Sequence, residues 1–142
     1  MKSLVCTTPG ELEYRDIAIP SPEKGFSLLR VRRIGICGTD LNAFRGTQPF
    51  FDYPRVLGHE LAAEYISGDA EGFKEGDRAT FIPYFHCGEC IACISGRENC
   101  CASLKVCGVH IDGGMAEYMT VPSYSLIPGQ DLSFDELALV EP

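Results

Sequence analysis

Short apolar runs, separated by glycine, proline and acidic turns, set the pattern of this chain. In several of them apolar and polar positions alternate with a period of two, which is typical of strands with one buried face. The longest run, at 26–36, adds β-branched residues to a nearly continuous apolar stretch. The pattern predicts strands at 3–7, 12–17, 26–36, 61–67, 78–83, 115–121 and 125–128.

Helical signals are few and short. Thr39-Asp40 is a candidate cap for a helix from Leu41 to about Arg45. Ser133, followed three residues later by Glu136, has the spacing of a capping box for a helix that begins at Phe134. Many short strands with small helices favour a mainly β fold, and we predict a β-barrel. The chain stops inside the second helical pattern, so we expect it to be a truncated piece of a longer protein.

Composition and charge restrict the function. With 142 residues, 45% hydrophobic and 23% charged, the chain is long enough for one domain with a core. Its net charge of −8 argues against a nucleic-acid partner, which would need a basic face. The N-terminus lacks the apolar stretch of a signal peptide, and no run is long enough to span a bilayer. We therefore expect a cytoplasmic protein with neither nucleic-acid nor membrane partners.

Eight cysteines is a high count, and most of them cluster. Four follow the spacing Cys-x2-Cys-x2-Cys-x7-Cys, at Cys87, Cys90, Cys93 and Cys101, with Cys100 as a competing fourth member. An iron–sulphur run would have a shorter last gap and a following proline, and reducing conditions disfavour disulphides. Four thiolates can close a tetrahedral shell around Zn²⁺, so the spacing predicts a structural zinc site.

A second set of metal-ligand types is dispersed along the chain. Cys37 follows the third predicted strand, His59 precedes the fourth, and Glu141 lies near the end. Alone, a cysteine is usually a core residue, and a histidine followed by glutamate is usually on the surface. Together the three form a mixed set of the kind that leaves one zinc coordination position open.

Several motifs in register resemble one family, the zinc-dependent medium-chain alcohol and polyol dehydrogenases. The motifs are Gly35–Asp40, Pro54–Glu60, the four-cysteine loop, Asp112–Tyr118 and Ala138–Pro142. The fourth is similar to the family's Gly-Gly-x-Ala-Glu-Tyr strand. Within the family, Gln48–Arg55 and Gly108–His110 look most like the L-galactonate and L-gulonate oxidoreductases.

The resemblance implies a GroES-like (chaperonin-10-like) β-barrel over residues 1–142, with a zinc-stapled loop. A Rossmann domain that binds NAD or NADP would follow, but no Gly-x-Gly-x-x-Gly fingerprint occurs in this chain. The implied reaction passes a hydride from the zinc-bound alkoxide of a secondary alcohol, polyol or sugar acid to NAD(P). We expect the full-length protein to be a homo-oligomer and the isolated chain to be inactive.

The resemblance also assigns roles to residues. The catalytic zinc would be held by Cys37, His59 and Glu141, with Glu60 as an alternate ligand, and the structural zinc by Cys87, Cys90, Cys93 and Cys101. Thr39 would accept the hydrogen bond of the substrate hydroxyl, and Asp40 would orient His59 through its second ring nitrogen. Both residues can equally be helix caps.

Other residues are open to two interpretations. Asn42 stands where many relatives carry a histidine that relays protons, and it cannot titrate near neutrality. His110 is an alternative relay, although a plain loop histidine is the commoner case. Candidate substrate contacts are Phe50, Phe51, Tyr53, Arg45 and Arg55. The competing function is a zinc-stapled binding module without catalysis, which would bind a single zinc.

Overall fold

The longest strand lies inside the main sheet with a neighbour on each side, as its apolar run predicts. The computed structural model describes all 142 residues, Met1–Pro142. Ten strands are present: β1 Lys2–Thr8, β2 Glu11–Asp16, β3 Phe26–Ile34, β4 Arg55–Val56, β5 Leu61–Gly68, β6 Arg78–Phe81, β7 Tyr84–Phe85, β8 Lys105–Val106, β9 Tyr118–Pro122 and β10 Leu126–Pro128. Three short α-helices are present: α1 Gly38–Arg45, α2 Ile91–Ile94 and α3 Phe134–Leu137. None of the helices has the length and apolar character that crossing a membrane requires.

The strands form three antiparallel sheets. The five-stranded sheet has the order β10-β6-β5-β3-β9, the three-stranded sheet β2-β1-β4, and β7 pairs with β8. A bridge between Ser3 and Ala116 joins the two larger sheets, where Leu4 N–H donates to the Met115 carbonyl at 2.7 Å. The mainly β fold is as predicted, and its strands lie in three sheets instead of one closed barrel.

The main core lies between the central strands. Leu29, Leu61, Phe81 and Val121 are buried there with Met119. A smaller cluster of Cys6, Ala43 and Leu57 packs β1 against α1, and a third joins Ala62 to α3 through Leu137 and Ala138. The two smaller clusters matter for function, because they hold the segments that carry Cys37, His59 and Glu141 against the two larger sheets.

Seven predicted strands are present, with shifted ends. The third ends at Ile34 and the sixth begins only at Tyr118, because the preceding Gly113, Gly114 and Met115 pair with 56–58. The capping box at Ser133 is present as predicted. The predicted cap at Thr39-Asp40 is wrong: α1 begins at Gly38, with Cys37 as its N-cap, and Asp40 lies in its first turn.

Candidate metal centres and the adjoining cavity

The four-cysteine loop lies between β7 and β8 and wraps around its own sulphur atoms. Gly88 and Gly96 have φ of 77° and 69°, where a side chain would be strained, so they allow the tight turns of the loop. The four Sγ atoms all lie within 4.8 Å of one another. The set comprises Cys87, Cys90, Cys93 and Cys101, which are the residues that the spacing predicted as one group.

The sulphur separations fit a tetrahedral zinc site. They are 3.4 Å for Cys90–Cys93, 3.5 Å for Cys87–Cys101 and 4.0 Å for Cys87–Cys93. Four sulphurs at a Zn–S distance of about 2.3 Å are about 3.8 Å apart. The donor set and its size therefore suit Zn²⁺ and leave no position for a substrate.

Backbone N–H groups stabilise negative charge on these sulphurs. The N–H groups of Cys93 and Ala102 lower the pKa of Cys90 to about 6, and the N–H of Cys87 lowers the pKa of Cys101. Burial and the neighbouring Cys90 raise the pKa of Cys93 to about 12. Thiols packed this closely cannot all ionise without a cation among them. A divalent metal ion would supply that charge.

The structure separates the two adjacent candidates for the fourth position. Cys101 is buried, and its Sγ also accepts a hydrogen bond from Ser103 N–H at 3.4 Å. Cys100 is exposed and lies outside the four-sulphur group. Two other cysteines, Cys6 and Cys107, are core residues, and burial raises the pKa of both.

The second centre forms where α1 begins and β5 is about to start. Cys37 Sγ lies 3.2 Å from His59 Nε2. A sulphur and a nitrogen that share one tetrahedral zinc are about 3.6 Å apart, so the pair needs little movement to bind one ion. His59 Nδ1 is buried without a hydrogen-bond partner.

Three carboxylates approach the same histidine. His59, Glu60 and Glu141 have ligand atoms within 4.8 Å of one another, and so do Cys37, Asp40 and His59. The predicted catalytic ligands are thus brought together as two overlapping groups that share His59. An added Cβ at Gly35 would lie 2.5 Å from Glu60 Oε2, so this glycine leaves the space that the carboxylate occupies.

Asp40 does not bind the ring of His59, which was its predicted partner. It is buried, with only 3% of its surface exposed. Its Oδ2 accepts from Cys37 N–H at 3.0 Å and its Oδ1 from Gly58 N–H at 2.9 Å. Both oxygens face backbone amides, so Asp40 does not hydrogen-bond to the ring of His59. It joins the segments that carry Cys37 and His59 through their backbones.

A cavity of about 220 Å³ adjoins this centre. It is lined by Thr39, Gln48, Pro49, Phe50, His59, Tyr84, Val106, Val109 and His110. Thr39 and Phe50 are therefore where the sequence predicts them, beside His59. Gln48, Tyr84 and Val109 were not predicted to line a substrate cavity. Gln48 and Val109 lie within segments that carried the family resemblance, but Tyr84 has no sequence signal of its own.

Several predicted substrate contacts lie elsewhere. Phe51 and Tyr53 pack against the cluster of Cys6 and Leu57, and the Tyr53 hydroxyl donates to the Ala43 carbonyl. Arg55 faces Asp112 at 3.4 Å, with 18% of its side chain exposed. Two more residues, Arg45 and Asn42, are exposed on α1 and do not line the cavity. These side chains stabilise the loops around the cavity or point to solvent.

Comparison with known proteins supports the same assignment of the fold. The family model of the alcohol dehydrogenase GroES-like domain matches residues 23–131. The chain is 43% identical to L-galactonate-5-dehydrogenase of Escherichia coli K12 over 144 aligned positions, covering 100% of the chain and 42% of the relative.

Solved structures agree closely. Galactitol-1-phosphate dehydrogenase of Escherichia coli superimposes with a TM-score of 0.90 at 28% identity, over 100% of this chain and 42% of that one. An alcohol dehydrogenase of Escherichia coli CFT073, complexed with NADH, gives a TM-score of 0.88 at 34% identity, again over 100% and 42%. The chain thus spans about two fifths of the length of these relatives.

Proposed function

The chain belongs to the alcohol dehydrogenase GroES-like domain family, and we propose that it is the zinc-binding catalytic domain of an NAD(P)-dependent alcohol or polyol dehydrogenase. The observation that carries the proposal is the pairing of Cys37 Sγ with His59 Nε2 at 3.2 Å, beside a cavity that Thr39 also lines. A zinc ion with an open coordination position needs room for a substrate beside it, and this cavity would provide that room.

In this proposal the metal is bound by Cys37 and His59, with Glu60 and Glu141 as the carboxylates that complete or exchange within the site. Zinc supplies Lewis acidity, which makes an alcohol more acidic and a carbonyl more electrophilic. One thiolate, one imidazole and one carboxylate would balance the charge of Zn²⁺ and would leave one of its four positions free. The substrate oxygen belongs in that position.

The remaining groups of the site bind the substrate hydroxyl, relay its proton or hold the metal-binding segments in place. Thr39 Oγ1 accepts the hydrogen bond from the substrate hydroxyl and so fixes the oxygen before the hydride leaves its carbon. Asp40 keeps the Cys37 and Gly58 segments at one separation through two backbone hydrogen bonds. Asn42 is exposed and cannot accept the proton, so the proton passes from Thr39 towards solvent or the Glu60 carboxylate.

The relatives are the basis for proposing a nicotinamide cofactor and a substrate. One structural relative is described in complex with NADH, and the first sequence relative is an L-galactonate-5-dehydrogenase. We propose a secondary alcohol of a polyol or sugar acid as substrate and a separate dinucleotide-binding domain as the second half of the enzyme. Residues 1–142 are the catalytic domain in this division, and Cys87, Cys90, Cys93 and Cys101 hold the structural zinc.

Metal stoichiometry tests the proposal directly. We expect elemental analysis of the purified chain to give two zinc ions per chain. The count should fall to one in Cys37→Ala and also to one in Cys90→Ser, because each variant loses a different site. A wild-type count of one that is insensitive to Cys37→Ala would contradict the proposal and favour a zinc-stapled binding module.

A further inference from the structure

Besides Thr39 and Tyr84, two further polar side chains without a role in holding metal line the cavity beside His59. They are Gln48 and His110. Within the protein, neither the side-chain amide of Gln48 nor Nε2 of His110 has a hydrogen-bond partner, while His110 Nδ1 has one. Partly unsatisfied polar groups at a cavity wall are the usual means by which a site recognises a polar ligand.

The ring of His110 is held in one orientation by its own loop. Val106 N–H donates to His110 Nδ1 at 3.0 Å, and His110 N–H donates back to the Val106 carbonyl at 2.9 Å. Since Nδ1 accepts a hydrogen bond, the proton of the neutral ring lies on Nε2. Nε2–H is therefore a donor without a protein partner, on an exposed residue that lines the cavity.

This loop is fixed relative to the proposed metal centre. Gly113 N–H donates to the Val56 carbonyl at 2.7 Å, and Gly114 N–H donates to the Gly58 carbonyl at 2.8 Å. A Cβ at Gly113 would lie only 2.3 Å from Gly58 O, so the two segments are in direct backbone contact. His110 and His59 thus belong to one rigid unit, and their separation is set before a ligand binds.

Gln48 lines the same cavity from a different segment of the chain. It follows the end of α1, and its backbone N–H donates to the Asn42 carbonyl at 3.3 Å. Its side-chain amide has both donors and an acceptor, which suits a hydroxyl group. The cavity lining contains no lysine or arginine, and Arg55 is occupied by Asp112. The chemistry of the lining therefore suits neighbouring hydroxyls better than a carboxylate.

We propose that His110 Nε2–H and the Gln48 amide bind hydroxyl groups next to the reacting alcohol, and so select a polyhydroxylated substrate over a simple aliphatic alcohol. The inference rests on the proposed function, because it places the reacting hydroxyl at the Cys37–His59 centre. The apolar side chains of Phe50 and Val109 line the same cavity and offer contacts to the carbon chain between these polar groups.

Equilibrium binding to the cobalt-substituted chain tests this without turnover. The visible spectrum of cobalt at the Cys37–His59 centre reports ligand entry, with galactitol and cyclohexanol as probes. His110→Phe keeps an aromatic ring but removes the donor. We expect it to raise the galactitol Kd about threefold to tenfold, the effect of one lost hydrogen bond, and to leave the cyclohexanol Kd unchanged. Gln48→Leu should act in the same direction.

Two further variants separate recognition from folding. His110→Gln retains an N–H donor and should recover part of the galactitol affinity. His86→Phe makes the same chemical change at a histidine that stacks on Tyr124 outside this cavity, and it should leave both Kd values unchanged.

The possible failures are distinguishable. Equal changes for galactitol and cyclohexanol, or no change for either, would overturn the inference while leaving the proposed function intact. An effect confined to L-galactonate, measured in parallel, would overturn the assignment to hydroxyl groups. A chain that binds only one cobalt would contradict the proposed function, and this inference with it.

Discussion

At the scale of single residues, the carboxylate of Asp40 links the two segments that carry Cys37 and His59. It is buried and accepts two backbone hydrogen bonds, from Cys37 N–H and Gly58 N–H. A charged acceptor with two backbone donors stabilises a fold more than a neutral one. Because these donors belong to Cys37 itself and to the residue before His59, Asp40 helps to set the separation of the two proposed metal-binding side chains.

Asp40→Asn should therefore weaken both the fold and the metal site. The amide presents an NH₂ group to one of the two backbone N–H donors, which leaves that donor unsatisfied. We expect the free energy of unfolding to fall by about 2 kcal/mol in urea titrations, and cobalt to be lost from the Cys37 centre but retained by the four-cysteine loop. Asp131→Asn, at an exposed residue, should change stability by less than about 0.5 kcal/mol. Unchanged cobalt affinity in Asp40→Asn would contradict the assigned positioning role.

The adjacent pair Cys100 and Cys101 provides a second test at this scale. Cys101→Ser should abolish zinc binding in the loop, because its sulphur is buried 3.5 Å from Cys87. Cys100→Ser changes the exposed neighbour and should retain the zinc. Zinc content after dialysis, together with the thermal midpoint of each variant, measures the difference. Loss of zinc from Cys100→Ser alone would reverse the assignment.

Residue identity predicted the ligand groups better than it predicted their surroundings. The four cysteines are close in sequence, so their spacing alone indicates a shared site. The contacts of Asp40 with Gly58 and of Arg55 with Asp112 span 18 and 57 residues. Whether Tyr53 faces the cavity or the core depends on where Ala43 lies in three dimensions. No local pattern contains that information.

At the scale of elements, α3 places Glu141 near His59. Its Leu137 and Ala138 pack on Ala62 in β5, and the capping box at its start defines where the helix begins. The Ser133 hydroxyl and backbone N–H both donate to Glu136 Oε2, at 2.7 and 2.9 Å, and Glu136 N–H donates to Ser133 Oγ at 3.2 Å. Capping therefore helps to position a proposed zinc ligand five residues beyond Glu136.

Ser133→Ala should lower the free energy of unfolding by about 1 kcal/mol at pH 7, the usual effect of removing an N-cap hydroxyl. The hydrogen bond from the Ser133 hydroxyl, followed by that from its backbone N–H, lowers the pKa of Glu136 below the model-compound value of 4.5. A carboxyl whose pKa is lower in the folded state stabilises the fold above that value and ceases to do so as the pH falls through the folded pKa.

The destabilisation by Ser133→Ala should consequently be smaller at pH 3 than at pH 7, as measured by urea unfolding at both pH values. Ser21→Ala, at an exposed loop serine, is the matched control and should show no pH-dependent difference. A destabilisation that is equal at both pH values would mean that Glu136 takes no part in the cap.

The length of a strand or helix decides whether the sequence pattern can predict it. The seven strands of three or more residues were all predicted, and so was α3 from its capping box. Strands β4, β7 and β8 have two residues each, and α2 has four, which is too short for any period. These short elements flank the cavity and the four-cysteine loop, so the least predictable part of the fold surrounds the candidate site.

At the scale of the whole molecule, the chain brings together a candidate metal centre and a cavity, and its sheets differ from those that bind dinucleotides. Every pairing between its named strands is antiparallel. Dinucleotides of this class bind at the carboxyl ends of a doubly wound parallel sheet, with the pyrophosphate over a glycine-rich turn. The proposed function thus assigns hydride acceptance to a region outside these 142 residues, in agreement with the 42% of L-galactonate-5-dehydrogenase that the chain covers.

The proposed separation of the catalytic domain from the cofactor-binding domain can be tested by activity. The purified chain, loaded with zinc, should not reduce NAD⁺ or NADP⁺ with galactitol or L-galactonate, as followed by absorbance of the reduced nicotinamide. A fusion of the chain to the remaining part of L-galactonate-5-dehydrogenase should gain activity, because the cavity beside His59 would then face a bound nicotinamide. The same fusion carrying Cys37→Ala should retain the four-cysteine zinc and lose at least about a hundredfold in kcat, since a site without its metal loses several kcal/mol of transition-state stabilisation. Turnover by the unfused chain would show that the cofactor binds within it. Undiminished turnover by the Cys37→Ala fusion would show that the Cys37 centre takes no part in the reaction.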